Sequence, residues 1–317
     1  MIISVTATNY LGEKMTFELT KPNGVYIRKI DGLGPVQANI NTTELSSNDG
    51  SVFNSARLNQ RNIVITFGLM FNPIIEDMRH TIYKYFPMKK PVRLDIVTDR
   101  RKCYTIGYVE TNNPDIFNKE ETQQVSIICP SPWLYGITDS SGTIDMYHVA
   151  KKFEFDRDAK SPIEQVNPNQ SLGFFPTDGD NVEFGEINKN TATTFTYEGD
   201  DDTGVRFTLH FLGSVYSDFS INDDKTNEHM TIKSNFTGGG FNVGDTLYIS
   251  TVKGNKYVRT LERYGSEFQN AIALLDRNSS WLTVKQGENS FSITSETSGV
   301  TDYIQAEIDF DIIYMGV

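Results

Sequence analysis

The sequence predicts a mainly β protein built as two domains. Three observations carry the prediction: a length of 317 residues, an aromatic content of 12% supplied mainly by 20 Phe and 15 Tyr, and recurrent runs in which apolar and polar residues alternate. Domains typically run about 100–150 residues, so this chain exceeds what one hydrophobic core usually organises. A hydrophobic fraction of 38% and a charged fraction of 22% are those of a soluble globular chain.

Charge divides the chain unevenly. Residues 1–133 carry 15 Lys and Arg against 13 Asp and Glu, whereas residues 134–317 carry 14 against 28, for a net charge of −12. Gripping phosphates needs clustered positive charge, so specific nucleic-acid binding and attachment to an anionic membrane are disfavoured. No run approaches the ~18 apolar residues of a membrane span, so no membrane insertion is expected. The first residues, Met1 to Thr6, turn polar too early for a secretory signal, which places synthesis in a cytoplasm. Cys103 and Cys129 lack metal-ligand spacing and sit in apolar strand-like runs, where a reduced thiol serves as a small core residue.

In chain order, Met15–Leu19 and Val25–Ile30 alternate as strands, with Lys21-Pro22-Asn23-Gly24 as the turn between them. The Gly/Pro connection Ile30–Pro35 then leads into Val36, Ala38 and Ile40, alternating with Gln37, Asn39 and Asn41, which predicts a long protruding hairpin. Asn48-Asp49-Gly50-Ser51 marks a loop and Arg61–Phe67 resumes the strand pattern. One helix is predicted. Asn72 is its N-cap, Pro73 its first residue, and Ile75, Met78, Ile82 and Tyr85 form one face until Pro87 stops it. Strands follow at Val92–Val97, at Tyr104–Val109, closing on Asn112-Asn113-Pro114, and at Gln124–Cys129. Pro130-Ser131-Pro132 ends the first domain, so the boundary falls near Trp133, giving domains 1–133 and 134–317.

Residues 139–204 are read as short strands, such as Phe153–Phe155 and Thr194–Tyr197, joined by long loops. From Gly204 the alternation sharpens through Val205, Phe207 and Leu209, then breaks at Asn235–Gly240. The stretch Phe241–Ile293 is the most regular: strand Thr246–Thr251, turn Lys253-Gly254-Asn255-Lys256, returning strand Tyr257–Leu261, and strand Ser290–Thr294 after Gln286–Asn289. A last alternating strand places Ile304, Ala306, Ile308, Phe310 and Ile312 on one face and Gln305, Glu307, Asp309 and Asp311 on the other. Short strands with turns at this spacing predict a sandwich or jelly roll.

The order of these pieces resembles the distal tail protein family (Dit) of siphophages that infect Gram-positive bacteria. The resemblance rests in the first domain on Asp31-Gly32-Leu33-Gly34-Pro35, Asp49–Phe53, Arg61–Ile65, Arg79 with Tyr83–Pro87, Gly107–Glu110 and Ile127–Pro132. In the second it rests on Val243–Leu247, Lys253–Lys256, Leu275-Asp276, Ser279-Ser280-Trp281 and Gly287–Asn289. It implies an N-terminal β-sandwich with one helix and a protruding β-hairpin, followed by a C-terminal galectin-like β-sandwich. It also implies a structural hub, not an enzyme, at the virion tail tip or baseplate. There a homo-hexameric ring around the genome channel would join the tail tube protein to a tail-associated tip (Tal-like) protein and to receptor-binding or baseplate proteins. No cofactor is implied. Gly32, Leu33, Gly34 and Pro35 are the candidate ring-assembly hairpin residues.

Chemistry finds little purchase in the sequence. His80, His148, His210 and His229 form no ligand cluster, and the acidic run Gly199–Gly204 lacks the distal Glu of a calcium loop, so it reads as a solvated turn. No Gly-x-Ser-x-Gly elbow is present, and 41 carboxylates single out no catalytic pair. The basic runs Lys89-Lys90 and Arg100-Arg101-Lys102 suit either an acidic neighbouring domain or solvated turns. The alternative function is a carbohydrate-binding adhesion module recognising host cell-wall saccharide, with Trp281 or Tyr264 as a stacking platform, although Trp281 equally suits a core plug.

Overall fold

Alternation at period two requires strands with one buried face, and the computed structural model has them in both halves of the chain, Arg61–Leu69 and Thr203–Phe211 among them. It describes residues 1–18, 24–46, 49–69, 74–116, 121–137, 144–145, 147–151, 185–189, 192–234 and 240–317. The expected turn residues Lys21–Asn23, the cap residues Asn72 and Pro73, the run Phe153–Phe155 and most of the break Asn235–Gly240 lie outside these.

The first unit contains β1 (Ile2–Thr8), β2 (Lys14–Glu18), β3 (Val25–Asp31), β4 (Ala38–Glu44), β5 (Ser51–Leu58), β6 (Arg61–Leu69), helix α1 (Ile75–Tyr85), β7 (Pro91–Thr98), β8 (Lys102–Asp115) and β9 (Thr122–Cys129). Its main sheet has the order β2-β1-β7-β8-β9-β6-β3 with antiparallel neighbours. The alternating residues Ile63, Ile65 and Phe67 of β6 and Val92, Leu94 and Ile96 of β7 supply its buried face. On the helix, Ile82 is buried and Ile75, Met78 and Tyr85 pack against that core, the stripe the periodicity predicts. Phe67 lies 4.9 Å from Phe17 and 5.4 Å from Phe86 between ring centroids, joining β2, β6 and the helix end. The helix is preceded by Ile74 in extended conformation without a side-chain cap, and it stops at Phe86, whose N–H donates to Ile82 O, before Pro87.

One strand runs further than its sequence suggests. The expected stop of β8 at Asn112-Asn113-Pro114 is not a stop, because the strand continues to Asp115 and Pro114 pairs with Gln123 of β9. Proline is tolerated there because β7 reaches only to Tyr108, so β8 beyond that point has an open edge where its missing N–H leaves no gap in a ladder.

The second unit is a sandwich of two sheets. The chain enters it through β10 (Leu134–Gly136), β11 (Ile144–Asp145), the hairpin of β12 (Tyr147–Lys151) and β13 (Gly185–Lys189), and β14 (Ala192–Tyr197). It continues with β15 (Thr203–Phe211), β16 (Phe219–Asp223), β17 (Glu228–Ile232), β18 (Thr246–Ser250), β19 (Tyr257–Leu261), β20 (Gln269–Asn270), β21 (Thr283–Val284), β22 (Gly287–Thr294), β23 (Ile304–Phe310) and β24 (Ile313–Tyr314). One sheet has the order β11-β23-β15-β18-β19-β20, the other β14-β22-β16-β17. Phe207, Leu209 and Ile308 from the first meet Phe219, Ile221 and Phe291 from the second in one core. The hairpin of β18 and β19 turns through Gly254, whose φ of +85° lies in the left-handed region that favours glycine.

The junction between the units is held by main chain as much as by side chains. β10 adds to β8, with Tyr135 opposite Tyr104, and β24 adds to β10, with Leu134 opposite Tyr314, so the chain returns from the second sandwich into the first sheet. Arg61 sits beneath this return, fully buried. Its Nη1 donates to the carbonyls of Gly32 and Gly34 at 2.6 and 2.8 Å. Nε and Nη2 both donate to Pro132 O, at 3.0 and 2.8 Å, and Nη2 also reaches Met315 O at 2.7 Å. All five N–H donors of the fork are thereby used. Burial lowers the Arg61 pKa through desolvation, yet a guanidinium keeps its proton at neutral pH.

Arg101 makes the second tie. Its guanidinium meets Asp200 through two bonds of 3.1 Å, lies 4.4 Å from the centroid of the Tyr314 ring, and donates to Gly316 O. The same Asp200 carboxylate accepts the Met315 N–H at 3.0 Å, and the Asp200 N–H donates to Ile313 O. Asp200, in the acidic run expected as a solvated turn, is therefore a clasp between the units: the basic run Arg100-Arg101-Lys102 finds an acidic neighbour within the same chain.

Replacing Arg61 by Met strands four main-chain carbonyls, so stability should fall by on the order of 3 kcal/mol, read as a lower urea midpoint with an unchanged slope. Arg61→Lys should recover only part of it, since an ammonium has three donors. A Met variant as stable as the parent would refute the role. Asp200→Ala should lose about 1 kcal/mol, because Arg101 and Asp200 remain 37% and 25% exposed. Amide exchange at Met315 should also quicken, and unchanged exchange there would show that the carboxylate holds nothing.

Candidate assembly interface

Every residue of β4 and β5 is exposed, on both faces. The two strands leave the first sheet and pair only with each other, forming a ribbon that extends from β3 and β6. Isolated two-stranded ribbons are marginal in water, so the side chains on this one say what it is for. Ala38 stands opposite Leu58 and Ile40 opposite Ala56, placing these four on one face. A register shift between Asn41 and Thr42 then brings Phe53 opposite Thr42 and thus onto that same face, leaving Asn54 as the extra residue. Asn54 Nδ2 donates to Thr43 Oγ1 at 2.6 Å and secures the bulge. Without the shift, Phe53 would fall on the face of Asn39, Asn41 and Arg57. The result is one apolar face, with Ile40 60% and Phe53 63% exposed, backed by a mainly polar one.

The root of this arm is where the Gly/Pro segment lies. Gly32 has φ +87°, and a Cβ there would overlap the Asn62 carbonyl, so only glycine fits. Leu33 is buried in the first core, its carbonyl accepting the Val317 N–H at 3.2 Å, while Gly34 and Pro35 are exposed. Gly32–Pro35 thus sets the angle at which the arm departs, with its backbone held by Arg61, and the exposed apolar side chains follow from Ile40 onward. The bulge is the feature that sequence reasoning missed. The Val52-Phe53 pair beside Asn54 is its one visible trace, because strict alternation cannot put Phe53 and Ala56 on one face.

The remaining singled-out residues do not converge. Trp281 packs against the second core with Lys256 5.0 Å over its ring, whereas Tyr264 is 88% exposed and lines a surface cleft that Trp281 does not reach. His80 faces Glu76 along the helix, and His210 lies between Thr246 and Glu307. His229 stands opposite Asn222 in a strand pair. Among the described residues no cluster of three or more His, Cys, Asp and Glu could hold a metal ion, and no helix is long and apolar enough to cross a membrane. Cys103 and Cys129 are buried and free, as expected of core thiols, and burial raises both pKa values, that of Cys103 to about 11.

Comparison with known proteins bears on this arrangement directly. Residues 13–128, which include the arm, its root and the helix, match the family model of the phage tail protein RIFT-related domain. No curated protein matches the chain in sequence. Among solved structures, the crystal structure of the Dit protein (gp 19.1) of phage SPP1 superposes with a TM-score of 0.58 over 98% of each chain at 14% identity. A chain of the phage P2 baseplate in its activated conformation with Ca aligns over 98% of each chain at 14% identity with a TM-score of 0.43. Residues 13–128 thus match the model of a phage tail protein RIFT-related domain, and the chain as a whole has the fold seen in the SPP1 Dit protein.

Proposed function

We propose that this protein is a structural hub of a phage tail tip or baseplate. Residues 1–133 close as six copies into a ring around the genome channel, and residues 134–317 form an outer, galectin-like domain. The observation that carries the reading is the arm: a fully exposed ribbon whose one apolar face has no partner among the described residues. An arm that docks on a different surface of the next subunit makes a head-to-tail contact, and such contacts close into rings when the rotation permits. The SPP1 protein of like fold is described as a paradigm of the hub of the adsorption apparatus in phages of Gram-positive hosts, which supports a place between tail tube protein, tail-associated tip protein and receptor-binding proteins. The net charge of −12 suits a channel component that lets DNA pass without holding it.

Sedimentation of the full chain across a concentration series, alone and with the tail tube protein, should detect a hexamer. Phe53→Asp and Ile40→Asp should remove it while changing monomer stability by no more than about 0.5 kcal/mol, since both positions are exposed. Parent protein that stays monomeric under every condition overturns the ring. Variants that assemble like the parent overturn the arm's part in it. Cutting out Gly32–Pro35 is the poorer test, because it takes two acceptors from Arg61.

A further inference from the structure

We propose that the tip of the second domain farthest from the first carries a binding cleft for neutral saccharide. The proposal is independent of the ring. Direction of the strands locates the tip: β15 starts at Thr203, beside the Asp200 clasp, and runs away to Phe211, while β23 runs back from Ile304 toward the junction. The loops after Phe211 and before Ile304 therefore lie at the outer end of the sandwich. Exposed apolar and aromatic side chains gather in this region, among them Leu212, Tyr216, Val243, Tyr303 and above all Tyr264. A cleft of about 690 Å³ opens between the segment 240–245, the turn after β19 and the segment 269–274.

The walls of the cleft are preorganised. Asp245 Oδ1 accepts the Arg263 N–H at 3.1 Å and Oδ2 accepts the Asn242 N–H at 2.8 Å, tying the loop to the turn. Gly244, at φ +90°, lets the methylenes of Arg263 lie where a Cβ would be, and the guanidinium then stands 5.1 Å from the Tyr264 ring centroid. Tyr264 is thus braced from within its own turn while remaining almost wholly in solvent. Polar groups line the same cleft. Gln269 Nε2 donates to Glu262 Oε1 at 3.2 Å and Asn270 Oδ1 accepts the Ile272 N–H at 3.1 Å, which among the described residues leaves the second Glu262 oxygen and the Asn270 amide hydrogens to a ligand.

An aromatic platform beside a carboxylate and amides matches one ligand chemistry well. The C–H face of a pyranose stacks on an aromatic ring, and its adjacent hydroxyls each donate and accept, as carboxylate and amide groups require. Two carboxylates, Asp245 and Glu262, against the single cation Arg263 disfavour sulfated or phosphorylated sugars, so the ligand class is neutral. The apolar groups alternate with polar ones instead of forming the continuous floor that a protein anchor fills.

Saturation-transfer NMR of the full chain with lactose, maltotriose and chitotriose as probes tests this. At least one probe should receive saturation at millimolar concentration. Tyr264→Ala should weaken that binding by about tenfold and Glu262→Gln should weaken it too, with thermal unfolding unchanged. Tyr303→Ala, at the same tip but outside the cleft, should bind as the parent does. Absence of transfer to all three probes, or a Tyr264→Ala variant that binds like the parent, overturns the proposal.

Discussion

A guanidinium with no water around it is tolerable only when each of its hydrogens meets an acceptor, and Arg61 meets that condition entirely with main-chain oxygens. Those oxygens come from three places far apart in sequence: the root of the arm, Pro132 in the segment after β9, and Met315 after the last strand. The charge therefore demands a geometry more than it contributes attraction. The arm's angle of departure, the path of the linker into β10 and the return of β24 are coupled, because displacing any one of them leaves a buried donor without a partner. The Arg101–Asp200 clasp, partly in solvent, adds orientation to an arrangement that Arg61 has already constrained.

Local patterning was legible and long-range pairing was not. Alternation placed β6, β7, β15 and β23 within a residue or two, and the stripe Ile75, Met78, Ile82, Tyr85 marked the helix, since these follow from which side faces a core. The Gly254 turn was equally plain, its left-handed backbone being written in one residue. What could not be read depends on neighbours distant in sequence. Pro114 stays in a strand only because β7 ends early beside it, and Arg61 looks like any polar residue at a strand start until four carbonyls surround it. Asp200 belonged to an acidic run indistinguishable from a solvated turn until Arg101 came within reach. Of the two aromatic residues offered as one platform, Trp281 went to the core and Tyr264 to the surface, a division set by tertiary packing alone.

The two units divide their tasks by how they treat apolar surface. The first carries a set of exposed apolar side chains, Ile40 and Phe53 among them, on a thin ribbon that stands apart from the sheet behind it. The second has a closed sandwich core and leaves aromatic side chains in the loops at its far end, mixed with amides and carboxylates. The exposed apolar surface of each unit can then vary without disturbing the core of the other.

The crossing of β24 into the first sheet also has a consequence for the order of events at the ribosome. Arg61 is separated from Met315 by 254 residues, so the last acceptor of its buried cation arrives only after the second sandwich has been synthesised. The first unit is thereby kept short of its final form while the arm is already synthesised. Topology thus sets the order in which the first unit is completed.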